Sequence, residues 1–517
     1  MKRINLKIVS GAFIIIVFSF LFIFLFSEHV PFNMDEFTQY QALSYHCYPL
    51  NKLNIFREGF RGADLAPFPG LYLPLRVYPY VGSPLSLVYY PLFKLWPSPY
   101  SARFLGLMAL ALQAFLLHRL FKTPLSASFI LLVSFMPYAF QHIVDFGTNI
   151  FQTTSVFLIC CLAREWMRSL RDNRPRAWLY PFFIGLTVFF GIWIKLSFFA
   201  LIPGVLALIF YSIFEKNEVS GSSIFPDRRK LILHFAILFV SAAAFTFMLL
   251  NSVDRGGQTY YQSVCRYAHY MTADPKGLLR YLFNPLLSAD RIFIIEKGTG
   301  MAGGLLFIAA LVFMLLSGIR QLYLKRIRFN YVILNIFLFF LTFFLVSMHS
   351  RSWAMHNVIV AFPFLILAMF YIYSKAAKSM TLLILLFLFV MLNLSFYYEL
   401  SKLHYKEDAH PSLRKINKLL NDNYADRHVF VVIDWGMYYM QALYGNKNQC
   451  VLYLEPLNEE KQIKEVKRIS ADLNRKTLFI GRIDSVSDLS LINQNFSGLT
   501  ELRTDFNTGK WRVWYEK

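Results

Sequence analysis

Apolar runs long enough to cross a bilayer recur along this chain, and they decide most of what it can fold into. A hydrocarbon core about 30 Å thick needs about 20 residues of helix. Residues 8–26, 231–250, 301–319, 329–348 and 380–397 each come close to that length. Backbone N–H and C=O groups in lipid must be paired within the protein, so isolated runs of this kind are helices. Composition agrees: 56% of the 517 residues are hydrophobic and only 16% are charged, fewer charges than a soluble chain of this size carries. Much of the formal net charge of +21 falls in short loops between the runs. That is the positive-inside pattern of a membrane protein, so nucleic acid is set aside as a partner.

The basic loops orient the helices. Lys2, Arg3 and Lys7 place the start of the chain in the cytoplasm. The run at 8–26 is too long for the core of a signal peptide and no small-x-small cleavage site follows, so it is expected to be an uncleaved first span. It delivers Asp35 and Glu36 to the outer side. Residues 29–101 are too polar and too rich in proline to span. They read as an outer loop with short amphipathic helices on the membrane surface, the first predicted at 35–46.

Further spans are predicted at 104–120, 125–141, 150–162, 179–194, 197–214, 231–250, 301–319, 329–348, from His356 to about 373, and at 380–397. Inner loops between them carry Arg119 and Lys122, then Arg164, Arg168, Arg171, Arg174 and Arg176, then Arg228, Arg229 and Lys230, and later Arg320, Lys325, Arg326 and Arg328. The fold class expected is therefore a polytopic α-helical membrane protein of about 11 transmembrane helices, occupying 1–399 with outer loops at 28–102 and 251–300. After Glu399 the apolar runs shorten to strand length. Strands at 429–433, 450–454 and 476–480, with an amphipathic helix at 459–473 carrying Ile463, Val466 and Ile469 on one face, predict a small extracytoplasmic α/β domain over 400–517. Asp434, Trp435 and Gly436 are too short a motif to be a phosphate loop.

Of the five cysteines, Cys160 and Cys161 sit in an apolar run and read as packing. Cys47, Cys265 and Cys450 lie in polar stretches, where one disulfide among the three is allowed. No zinc-ligand spacing occurs. The tyrosines between Thr259 and Tyr270 read as an interfacial aromatic belt.

The up-and-down topology sets four polar groups at one outer boundary: Asp35 with Glu36, Asp145 with His142, Lys195, and His349 with Arg351 and His356. An acid there can take the proton of an attacking hydroxyl, or bind a divalent metal with a second carboxylate. The plainer reading is an acid capping an interfacial helix. Adjacent helical residues diverge by about 100°, so one of Asp35 and Glu36 is expected to enter a shared site. Asp145 can complete a carboxylate pair or be an ordinary loop residue. The guanidinium of Arg351, with His349 and His356 as further donors, suits a phosphate, and equally an anionic lipid headgroup. Lys195 can pair with a phosphate or snorkel to the headgroups.

A cytoplasmic start, one span, then an acid just outside it in a long outer loop resembles the GT-C glycosyltransferases. The resemblance is to family 39-like members, the dolichyl-phosphate-mannose protein mannosyltransferase and aminoarabinose transferase branch. It is carried by Asp35 and Glu36, and by Asp145 where that fold has a further acid, and it covers roughly 1–397. It implies a sugar moved, with inversion, from a polyprenyl-phosphate donor to an acceptor hydroxyl on a glycan, lipid or protein, with Asp35 as base and Glu36 and Asp145 as companion acids. Arg351, His349, His356 and Lys195 would hold the donor phosphate. No metal is required, though a divalent one is compatible. The location implied is multi-pass in a bacterial inner membrane, with the site facing the periplasm or exterior. An outer-face polymerase or ligase of lipid-linked glycans, which would lean on the basic residues without Asp35, and a lipid-linked sugar flippase or transporter, stand as alternatives.

Overall fold

Apolar helices form here because lipid leaves the backbone no other partner, and the contacts between them fix their directions. The computed structural model describes residues 17, 50, 63–64, 72–73, 76–78, 81–82, 84–96, 99–134, 148–214, 228–252, 259–262, 265, 316, 323, 329–347, 359–376, 418–433, 448–453, 460–482, 492–496, 498–502 and 511–516. The spans expected at 8–26, 301–319 and 380–397 and the helix expected at 35–46 lie outside these residues, except for Val17 and Leu316. The chain divides into two compact units, one made of Met1–Ser27, Arg103–Ser252 and Thr259–Leu403, the other of Glu28–Ala102, Val253–Gln258 and His404–Lys517.

In the second unit, part of the proline-rich stretch is two short antiparallel ribbons. β1 (Ala63–Asp64) pairs with β2 (Tyr72–Leu73), and β3 (Arg76–Tyr78) with β4 (Val81–Gly82). Prolines and glycines between apolar residues favour tight reversals over continuous helix. Among the described residues of this unit's first segment, the longer helix is α1 (Pro84–Leu95), which Pro84 starts. Its fixed φ suits the first helical position.

The first unit is an up-and-down bundle. Its described helices are α2 (Pro99–Phe121, whose first residues belong to the other unit), α3 (Leu125–Ser134), α4 (Thr148–Arg171), α5 (Leu179–Ile194), α6 (Ile202–Phe214), α7 (Arg228–Leu250), α8 (Phe329–Ser347) and α9 (Phe362–Ala376). Gln113 of α2 reaches Thr154 of α4, while Cys161 and Arg164 of α4 donate to the carbonyls of Leu116 and Leu120, so α2 and α4 run parallel. Phe189 of α5 packs on Phe245 of α7, and Gly185 approaches Ser241, so α5 and α7 also run parallel. Trp166 of α4 donates to His234 Nδ1 of α7 at 2.9 Å, and Phe210 of α6 stacks on Phe235. Phe339 of α8 meets Phe362 of α9, and Tyr331 meets Tyr371, an antiparallel pair.

These contacts gather one end of the bundle around Arg119, Glu165, Asn173, Tyr211, Lys230, Tyr331 and Tyr371. Glu165 lies 3.9 Å from Arg119, and Lys230 donates to Asn173 at 3.2 Å. The first part of the basic loop expected after residue 162, through Arg171, is in fact the last turns of α4, and Arg174 and Arg176 follow in the turn after it. Arg168 pairs with Glu165 one turn back at 2.8 Å, and Arg168 and Arg171 complement the negative end of the helix dipole. The helix therefore outlasts its apolar stretch.

Three described helices are long and apolar enough to cross a membrane: Phe104–Phe121, Leu196–Ile213 and Arg229–Leu250. Apolar side chains cover the outside of α7, where Ile232, Leu233, Val240, Phe247 and Met248 are all exposed. Small residues hold its other face against α5. A Cβ on Gly185 would lie 2.6 Å from the Leu238 carbonyl oxygen and 2.0 Å from Ser241 Oγ, and such close approach is what packs helices in lipid. Gly185→Leu is therefore expected to force these helices apart, at about 1–3 kcal/mol. The check is the unfolding temperature and the monodisperse yield in detergent, both of which should fall.

The C-terminal residues form a five-stranded sheet of order β6-β5-β7-β9-β8. β5 (His428–Val432), β6 (Cys450–Tyr453) and β7 (Lys476–Arg482) are parallel, and β9 (Trp511–Glu516) joins β7 and β8 (Leu499–Glu501) antiparallel. All of β5 is buried, as its unbroken apolar run requires of a central strand. Helix α10 (Glu460–Asp472) lays Ile463, Val466 and Ile469 into a core with Val429, Val431, Leu452 and Phe479. Leu50, from the first loop, packs on the same core. Its carbonyl accepts from Cys450 Sγ at 3.8 Å. Burial pushes the Cys450 thiol up to about 12. Cys265 and Cys450 are both free, so the disulfide allowed among Cys47, Cys265 and Cys450 is not formed.

Candidate functional site

The end of the bundle away from the basic residues is where polar side chains go inside. α5 stops at Ile194, and Lys195 takes an extended backbone (φ −161°, ψ 131°) before a 3-10 turn, Leu196–Leu201, leads into α6. The Lys195 carbonyl opens this turn by accepting from the Phe198 N–H at 3.0 Å. Gln152 of α4 adds to it from the side. Its Nε2 donates to the Lys195 carbonyl at 2.8 Å, and its Oε1 accepts from Ser197 Oγ at 3.1 Å.

One turn earlier on α4, Asn149 accepts from Lys195 Nζ at 3.4 Å. Lys195 is 4% exposed, Asn149 1% and Gln152 0%. An ammonium taken this far out of water needs opposing charge or dipoles around it, and membrane proteins keep such residues mainly where they act. Deeper along α4, Gln113 of α2 donates to Thr153 and Thr154 at 3.2 and 2.8 Å. These bonds tie α2 to α4, each worth about 0.6 kcal/mol in a membrane interior.

Of the candidate site residues read from the sequence, Lys195 is the one within the described residues. It comes together with the first turn of α4, whose residue Asn149 lies four positions after Asp145. Asp35, Glu36, Asp145, His349, Arg351 and His356 lie outside the described residues, and no placement is given for them. Gln113, Gln152 and Asn149 add themselves to the site. Their signal was present in the sequence: amides inside otherwise apolar runs, with Asn149, Gln152 and Thr153 on one face of a helix at i, i+3 and i+4. Among the described residues no group of three His, Cys, Asp or Glu side chains gathers as a metal site. Tyr260 is buried and Tyr261 exposed.

The second unit holds a separate cleft of about 580 Å³, at the amino ends of β5 and β7, lined by Tyr424, Asp426, Arg427, His428, Asn474, Arg475, Lys476, Tyr515 and Glu516 among others. His428 sits at its wall, 7% exposed. Neither of its ring nitrogens makes a hydrogen bond of ordinary geometry. Burial lowers its pKa below the ordinary 6.5. The Tyr424 backbone and Glu516 oppose this, while Lys476 and Arg427 add to it. Between that lowered value and 6.5 the unfolded chain binds more protons than the folded one, so stability falls as pH drops below about 6.5. The protection factors of the β5 amides, exchange rates corrected for the intrinsic pH dependence of exchange, are expected to fall between pH 7.5 and 5.5, and to change less with pH in His428→Phe. An equal pH response in the two proteins would assign the effect to groups other than His428.

An up-and-down apolar bundle with a polar cluster buried at one end and bases gathered at the other defines a membrane protein. No protein-family model matches the sequence, and no curated protein matches it either. Solved structures do. ArnT from Cupriavidus metallidurans, bound to undecaprenyl phosphate, superposes with a TM-score of 0.60 at 10% identity, over 98% of this chain and 97% of that one. The apo oligosaccharyltransferase of Archaeoglobus fulgidus gives 0.48 at 12% identity, over 92% and 70%. The chain shares the fold of ArnT along nearly its whole length.

Proposed function

We propose that this protein is a membrane glycosyltransferase that moves a sugar from a polyprenyl-phosphate donor to an acceptor hydroxyl. The observation that carries the reading is the fold shared with ArnT along nearly the whole chain, ArnT being a protein captured with undecaprenyl phosphate. Orientation follows from charge. The bundle end with Arg119, Arg168, Arg171 and Lys230 faces the cytoplasm by the positive-inside rule. The end with Lys195 then faces the exterior, the periplasm if the host membrane is a bacterial inner membrane.

The roles are these. Asp35 takes the proton of the acceptor hydroxyl as its oxygen bonds to the anomeric carbon. The bond from that carbon to the phosphate oxygen breaks, and its electron pair stays on the departing phosphate. The anomeric centre inverts in this single displacement. Arg351, His349 and His356 stabilise the charge on the leaving phosphate, and Lys195 adds a cation in a site held dry by the helices around it. Glu36 and Asp145 orient the acceptor. The acceptor is a glycan, lipid or protein hydroxyl.

The reading is tested by offering purified protein a set of polyprenyl-phosphate sugars that differ in the headgroup, and measuring thermal stabilisation and release of free polyprenyl phosphate in the presence of acceptors. A subset of donors is expected to stabilise the protein and be cleaved. Stabilisation and uptake across a vesicle with every donor intact would instead identify a flippase. Extension of a lipid-diphosphate glycan that is insensitive to Asp35→Asn would identify a polymerase or ligase.

A further inference from the structure

We propose that the cleft at the amino ends of β5 and β7 binds a neutral sugar unit. This inference rests on the cleft itself and stands apart from the transfer reaction. Four observations carry it. First, the cavity, at about 580 Å³, is within the range that encloses a small molecule. Second, its lining mixes signs: Asp426 and Glu516 beside Arg427, Arg475 and Lys476, with Asn474 between. A sugar hydroxyl both donates and accepts, so it meets a carboxylate and a cation equally well. A phosphate or carboxylate ligand would meet Asp426 as well as the cations.

Third, the half-buried rings of Tyr424 and Tyr515 line the cleft beside His428, the three rings forming a triangle with centroids 5.3 Å (Tyr424 to His428), 6.5 Å (Tyr515 to His428) and 6.1 Å (Tyr424 to Tyr515) apart. Tyrosine offers an apolar face for sugar C–H groups and a hydroxyl for their oxygens. Fourth, His428 is more than nine-tenths buried, and neither ring nitrogen makes a hydrogen bond of ordinary geometry, the Tyr424 backbone being its nearest polar neighbour. Neutral imidazole carries one donor and one acceptor, the pair that a ring hydroxyl or two adjacent hydroxyls satisfy. A buried polar group left unmatched is rare enough to call for a partner.

Other features of the cleft are already spoken for. Arg475 Nη1 donates to the Ala425 carbonyl at 3.1 Å and also to that of Asn448, so it braces the wall. Thr477 N–H donates to Glu516 Oε2 at 3.2 Å, and Ser470 shares a hydrogen bond with Thr477 at 3.1 Å. The recognising groups are therefore His428, Tyr424, Arg427, Lys476 and Asp426. The cleft also lies at the amino ends of the parallel strands, opposite the edge where open α/β sheets usually hold their ligands.

The test uses the full chain in a detergent without a sugar headgroup, labelled and applied to an array of neutral oligosaccharides, with free monosaccharides, glucuronic acid and inorganic phosphate as competitors. Expected is retention on neutral glycans that free phosphate does not displace. Retention should weaken at least tenfold in His428→Phe, which keeps the ring and removes both nitrogens, and in Tyr424→Ala. Lys476→Met serves the same purpose if His428→Phe lowers the unfolding temperature. Asp35→Asn should bind as the wild type does, whether or not transfer fails, which separates this inference from the proposed reaction. Competition by monosaccharides would make a single sugar the ligand, and its absence a longer glycan; either keeps the proposal. No neutral glycan retained, displacement by phosphate or glucuronic acid alone, or equal retention by all variants would overturn it.

Discussion

Asp35→Asn is expected to lower sugar transfer by about 10²- to 10⁴-fold, the usual contribution of a positioned general base. The substitution keeps the side chain's size and removes its ability to take a proton. Donor binding, read as the rise in unfolding temperature with polyprenyl phosphate, should be unchanged. The same exchange at Glu36 should cost less, because adjacent helical residues point about 100° apart and one of the two enters the site. Full activity in Asp35→Asn would move the base elsewhere, with Asp145 next.

Lys195→Met should do the reverse. Here the loss falls on donor binding. Polyprenyl phosphate at about a hundred times its Kd stabilises a protein by about 2.7 kcal/mol, and this gain should shrink or vanish in the variant while the donor KM rises. Methionine fills the lysine's space without its charge. Asn149 loses the Nζ partner it has at 3.4 Å, so a modest fall in the unfolding temperature of the apo protein is expected as well. An unchanged response to polyprenyl phosphate would leave Lys195 as a brace for the turn between α5 and the 3-10 segment.

Long elements were the most legible part of this fold. The helices around 104–120, 179–194, 231–250 and 329–348 were set by apolar length and by basic residues at alternate ends, and α2, α5, α7 and α8 begin and end within a few residues of those bounds. Lys195 as the turn between two spans was equally readable, because a lone charge between two apolar runs has few other places to go. What hydropathy missed, it missed for a reason. α4 continues to Arg171 because helical hydrogen bonds and the Glu165–Arg168 pair hold beyond the apolar stretch, where hydropathy counts only charge. β8 and β9 were passed over since Arg512 and Glu516 leave only a short apolar stretch, Val513 to Tyr515, in a strand of six, and Leu499–Glu501 is only three long.

The site was legible in part. Topology set Lys195 at the level of the start of α4, and Lys195 does meet Asn149 there. The clamp by Gln152 was not foreseen, since which amide reaches the Lys195 carbonyl depends on how two helices rotate against each other. The cleft around His428 escaped for a similar reason. Tyr424, His428, Lys476 and Tyr515 are brought together by parallel pairing of β5 with β7 and by β9 returning beside them, and no local pattern records that.

The central claim is that a sugar leaves a lipid phosphate on this protein. Its most direct measurement is made in proteoliposomes supplied with radiolabelled polyprenyl-phosphate sugar and acceptor, counting free polyprenyl phosphate and labelled acceptor at the outer leaflet. The account predicts equal amounts of the two products, inverted at the anomeric carbon, formed by the wild type and lost in Asp35→Asn. Intact labelled donor appearing in the opposite leaflet, with no free polyprenyl phosphate, would contradict it.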